Sequence, residues 1–67
     1  MKVQKHLNKY LKKNPMGTTE LAQKIGISQP TVSRIINENI SVSDKIVKKM
    51  LESKVITKEE AVQIVLN

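Results

Sequence analysis

A chain of 67 residues has room for one modest core, because a domain of that size buries only about 60% of the surface its unfolded form exposes. With no cysteine, neither a disulfide framework nor a thiolate metal site can hold it, so helix packing or self-association must; a core worth about 3–5 kcal/mol supports no deep catalytic cleft. Twelve Lys/Arg against six Asp/Glu give a formal charge of +6, which favours a polyanion such as nucleic acid or an anionic membrane face.

The charge is unevenly placed. Met1 to Leu51 holds ten basic and three acidic residues, a formal +7, whereas Glu52 to Asn67 carries Lys54 and Lys58 against Glu52, Glu59 and Glu60, a formal −1. No apolar run approaches the ~20 residues that span a bilayer, and the lysine-rich N-terminus lacks the hydrophobic stretch of a secretory signal. A soluble, cytoplasmic protein with no membrane partner is expected.

In chain order, Val3, Leu7, Tyr10 and Leu11 recur at helical spacing until Pro15 and Gly17 stop the pattern, which predicts a first helix over about Lys2 to Lys13. Leu21, Ala22 and Ile25 form the stripe of a short second helix ending at Gly26, a residue that readily adopts the left-handed conformation. Ser28 can cap a third helix, Pro30 is tolerated in its first turn, and Val32, Ile35 and Ile36 face inward to about Asn37. Glu38 to Val42 reads as a loop. Ser41 or Ser43 then caps a fourth helix that buries Ile46, Val47, Met50 and Leu51, with Asp44 in its first turn and Lys48 and Lys49 later, as the helix dipole prefers. Thr57 and Glu60 have capping-box spacing, so a fifth helix should start near Lys58 and carry Ala61, Val62, Ile64, Val65 and Leu66. A strand is the competing reading of Val62 to Leu66, which is short and rich in β-branched residues.

Thr18 to Asn37 therefore places two short helices across a glycine-containing turn of three to four residues. Ala22 is small enough for the helices to cross closely, Gly26 relieves the turn, and Ile27 with Val32 packs the corner. The segments Glu20-Leu21-Ala22-Gln23-Lys24-Ile25-Gly26 and Ser28-Gln29-Pro30-Thr31-Val32-Ser33-Arg34-Ile35 resemble the Cro/repressor-type (XRE-like) helix-turn-helix family of phage and bacterial regulators. The resemblance is strong over the motif and looser to about Leu51. It implies an all-α, four- or five-helix, lambda-repressor-like domain occupying residues 1–67, with the motif at about 18–37 and a possible dimerisation segment at 55–67.

In that family the third helix enters the major groove of double-stranded DNA, which puts Ser28, Gln29, Pro30, Ser33 and Arg34 at DNA-facing positions. Gln29 can pair with adenine N6 and N7, Arg34 with guanine O6 and N7, Ser33 with either kind of edge, and Pro30 can touch a thymine methyl. Family members often carry a polar residue where Pro30 stands. Phosphate contacts are expected from Thr18 and Thr19, beside the free amides of the second helix, and from Lys24, Asn37, Asn39 and Lys45. These hold the register without reading sequence. The resemblance implies an operator-binding transcriptional regulator of Cro-like repressor type, with no enzymatic activity and no cofactor.

The remaining residues have plainer roles. His6 has no cysteine, second histidine or placed carboxylate nearby in sequence, so a surface position is expected and no metal site. Tyr10, the sole aromatic residue, repeats at core spacing, and single-stranded nucleic-acid binders normally offer several stacking rings. The serines lack a partner base and read as caps, turns or DNA contacts. The lysines of the first helix read as a solvated face. The apolar residues of the fifth helix span more of its circumference than half-burial requires. Either they all pad a thin core, or Val62 and Leu66 enter a two-fold dimer interface, formed in solution or only on DNA. A different class of function is a protein-interaction module, an antitoxin or antirepressor partner docking through this last helix; indifference to duplex DNA at every salt concentration would favour it.

Overall fold

Leu7, Leu21, Val32, Ile35 and Met50 are sealed from solvent, and together they draw four helices around one apolar centre. The computed structural model describes residues 1–66. Its helices are α1 (Gln4–Lys13), α2 (Thr18–Ile25), α3 (Gln29–Glu38), α4 (Asp44–Glu52) and α5 (Lys58–Leu66). Among the described residues the only β-type pairing is an isolated antiparallel bridge between Lys2 and Ser41. No helix is long and apolar enough to cross a membrane.

Each helix end has a local cause. The α2–α3 corner turns at Gly26, whose φ of 88° lies in the left-handed region, and the amides of Gly26 and Ile27 both return to the Ala22 carbonyl at 2.8 and 3.0 Å. Ser28 starts α3, its hydroxyl accepting from the Thr31 amide at 3.4 Å, and Pro30 falls in the first turn. Asn39 ends α3 at φ 50°, a conformation asparagine tolerates better than most side chains. Ser43 occupies the cap position of α4 and its carbonyl accepts from the Val47 amide at 3.1 Å, but its side chain makes no capping bond.

Two helix boundaries need adjusting, and three core residues lie outside the helical pattern of the sequence. The first helix starts at Gln4, not Lys2, because Met1 to Val3 runs beside the α3–α4 connection: the Val42 amide donates to the Met1 carbonyl at 2.7 Å and the Met1 amine to the Val42 carbonyl at 3.1 Å. The third helix runs one residue past Asn37, to Glu38. Val42, Val55 and Ile56, which fall outside the helical pattern, are core residues.

The last segment is a helix, not a strand, and the capping box is formed: Glu60 accepts from the Thr57 amide at 3.0 Å and Thr57 from the Glu60 amide at 3.1 Å. Only Ile64 of α5 is buried. Val62, Val65 and Leu66 are 55%, 61% and 80% exposed, so they do not pad the core.

His6, expected at the surface, is half-buried with a side chain only 14% exposed, and its Nδ1–H donates to Glu60 at 3.0 Å. Lys9 lies 3.7 Å from the same carboxylate oxygen. The Thr57 amide, then the His6 bond and the charge of Lys9 hold the Glu60 carboxyl below its ordinary value of 4.5, against the opposing effect of burial. A carboxyl whose pKa falls on folding stabilises the fold above its unfolded value, and that stabilisation is lost as pH drops through the folded value. Glu60→Gln keeps an acceptor for the Thr57 amide but loses the carboxylate charge, so it should melt at a lower temperature than wild type at pH 7. The gap should close as pH falls below 4.5. Melting curves that stay parallel throughout would mean that the ionised carboxylate does not hold α5.

Candidate nucleic-acid interface

At 100° per residue, Gln29, Ser33, Asn37, Pro30 and Arg34 fall in that order within an arc of roughly 140° on α3. The arc is opposite the buried Val32 and Ile35, which press α3 onto α2 and the rest of the core. Gln29, Pro30, Arg34 and Asn37 are exposed and Ser33 is half-buried. Among the described residues the ion pairs are those of Glu60 with His6 and Lys9, so Arg34 keeps its guanidinium unpaired. It is free to offer two parallel N–H groups to a base edge or a phosphate.

Other side chains of the arc are already oriented. Gln29 donates its Nε2 to the Thr18 hydroxyl at 2.9 Å, a bond between the first residues of α3 and α2. The amide nitrogen has two hydrogens, so one N–H and the Oε1 acceptor remain, the pair an adenine edge requires. Thr18 accepts in that bond and keeps its own O–H to donate. Asn37 donates to the Ser33 hydroxyl at 3.1 Å, and the Ser28 and Thr31 hydroxyls pair at 2.6 Å. Ser28 thus spends its oxygen on the helix start, while Ser33 retains a proton to donate.

The proposed phosphate contacts lie on several elements. Thr19, Lys24 and Lys45 are exposed on α2 and α4, and Thr18 is half-buried. α2 begins without a side-chain cap, so its first amides are free to meet an anion. Asn39 is half-buried in the left-handed turn after α3, and its Oδ1 is enclosed with no hydrogen-bond partner.

Two further contacts fix the frame. Lys49 donates its Nζ to the Gly26 carbonyl at 3.1 Å, tying α4 to the α2–α3 corner, whereas its place in sequence suggests a role only at the end of its own helix. Gln4 donates to the Ile36 carbonyl at 2.7 Å, reaching α3 from 32 residues away. Nothing in local spacing points to either contact, because neither partner is a near neighbour along the chain.

A family model described as helix-turn-helix matches residues 7–53, more than half of the chain. The chain belongs to the helix-turn-helix family. Among curated proteins and solved structures, no significant match is found. The matched region covers α2 and α3 whole, most of α1, and α4, so the family assignment and the geometry describe the same elements. Members of this XRE-type helix-turn-helix family are DNA-binding regulators, not enzymes, and the five-helix, all-α arrangement is lambda-repressor-like. Helix-turn-helix proteins lay the second helix of the motif in the major groove, which here is α3.

Proposed function

We propose that the protein is a Cro-like transcriptional repressor that works in the cytoplasm, residues 1–67 forming one DNA-binding domain that grips operator DNA as a homodimer. The reading rests above all on the exposed arc of α3, held outward by a buried Val32 and Ile35 while its one guanidinium, Arg34, stays unpaired among the described residues. Ser28, Gln29, Pro30, Ser33 and Arg34 face the bases, Ser28 at the helix start. Thr18, Thr19, Lys24, Asn37, Asn39 and Lys45 hold phosphates. The formal +6 supplies long-range attraction to the duplex.

Selection from a random duplex pool should yield a palindromic site, since two-fold symmetry in the protein requires it in the DNA. Against that site, Arg34→Ala should cost about 1–3 kcal/mol and relax discrimination at one base position. Lys45→Ala should weaken all sequences alike and lower the slope of log affinity against log salt by about 1. Equal losses for Arg34→Ala on every base variant would remove its reading role. A chain whose binding ignores both DNA sequence and salt would instead fit the partner-docking module.

The apolar strip of Val62, Val65 and Leu66, with Ala61, is the face proposed for a second copy. Charge supports this choice of occupant. Glu52 to Asn67 has a formal −1 against +7 for Met1 to Leu51, so an interface built there opposes far less positive charge than one built on the rest of the chain.

A further inference from the structure

The last carbonyls of a helix have no partner within it, and something must satisfy them wherever water is restricted. At the end of α3 the Asn39 amide takes the Ile35 carbonyl at 3.1 Å, and the chain's first residues supply the next donors. Gln4 Nε2 reaches the Ile36 carbonyl at 2.7 Å, and Lys2 Nζ reaches the Asn39 carbonyl at 2.6 Å. Val3, fully buried between them, anchors the segment, and the bridge from Lys2 to Ser41 pairs it with the connection leaving α3. The cation of Lys2 also suits the negative end of the α3 dipole.

We propose that Gln4 is a positioning residue for base recognition, acting through its hydrogen bond to Ile36 to set the angle at which α3 meets DNA. This rests on the reading of α3 as the base-reading helix. The lever is mechanical: α3 is about 15 Å long, so a tilt of about 4° pivoting at its C-terminal end moves its first turn by about 1 Å. Hydrogen bonds to base edges tolerate about half that displacement. Contacts to phosphates from flexible lysines tolerate more, so loss of the Gln4 bond should damage discrimination more than general attraction.

The experiment compares the full chain with Gln4→Met, Gln4→Glu and Gln4→Lys on the selected duplex and on a scrambled duplex of the same length. Gln4→Met removes the donor at similar size. Gln4→Glu sets a carboxylate against a carbonyl, and Gln4→Lys restores a donor. The ratio of selected to scrambled affinity should fall severalfold in Gln4→Met and about tenfold in Gln4→Glu, and should recover in Gln4→Lys. The Gln4→Met salt slope should match wild type, and amide exchange should quicken near the end of α3. Unchanged ratios overturn the proposal, as does a Gln4→Lys ratio no better than that of Gln4→Met. Loss of the circular-dichroism helix signal together with binding to both duplexes would make Gln4 a residue of stability, and also overturns it. A wild-type ratio of one removes the base-reading assignment of α3 itself; a high wild-type ratio that survives all three variants removes only the role of Gln4.

Discussion

Leu21→Ala should leave most of the protein unfolded at 25 °C and weaken binding to every duplex, whatever its sequence. Leu21 is fully buried in α2, within the cluster that also holds Leu7, Ala22, Val32 and Ile35. Removing such a leucine costs about 2–5 kcal/mol, transfer and cavity terms together. A core of this size supplies about 3–5 kcal/mol in all, with no disulfide to compensate. The loss therefore matches the whole stability of the domain, whereas most surface substitutions shift it by less than about 0.5 kcal/mol. The check is a urea titration followed by circular dichroism, paired with binding assays. Saturating duplex should pull part of the helix signal back, because a ligand at 100 times its Kd adds about 2.7 kcal/mol to the folded state. A transition midpoint equal to that of wild type would mean that α2 is not locked into the core as the burial of Leu21 requires. The pattern of loss separates this variant from Arg34→Ala: one removes the scaffold for all sequences, the other, on the proposed reading, one contact for one base pair.

The elements legible in sequence were those whose cause is local. Gly26, Ser28 with Pro30, and Thr57 with Glu60 act on amides within a few positions of themselves, and the corner, the start of α3 and the start of α5 form where those residues stand. The ends of α3 and α4 were harder to read, because Asn39 and Lys54 take the left-handed conformation at φ 50° and 64° where glycine would be the usual signal. The contacts that frame α3 were illegible for another reason. Gln29 with Thr18, Lys49 with Gly26 and Gln4 with Ile36 join residues 11, 23 and 32 positions apart, and no periodicity encodes such pairings. His6 shows how this misleads: without a carboxylate nearby in sequence it reads as a surface residue, yet Glu60 reaches it from 54 positions away.

If the proposed α5 dimer forms, replacing Val62 and Leu66 with lysine should make the chain monomeric and weaken binding to the palindromic duplex by about 10²–10⁴, with little change for a single half-site. The asymmetry follows from how the second half-site is reached. Once one recognition helix is seated, its partner sits about one DNA turn away at an effective concentration in the millimolar range, an advantage a monomer lacks. The fold should survive, since Val62 and Leu66 are 55% and 80% exposed and α5 is held instead by Ile64, the capping box and the His6–Glu60 bond. In a two-fold interface each lysine meets its own symmetry mate or a close neighbour, so one substitution introduces like charges on both sides of the contact. The chain's positive charge sharpens the test, because two copies at +6 already repel and only a near-neutral apolar face offers a place to meet. Sedimentation of the wild type and the double variant, each alone and with palindromic duplex, decides the matter. A wild-type chain that remains monomeric at every practical concentration, on DNA as well as off it, would leave the α5 strip without its proposed occupant and the palindrome without its cause.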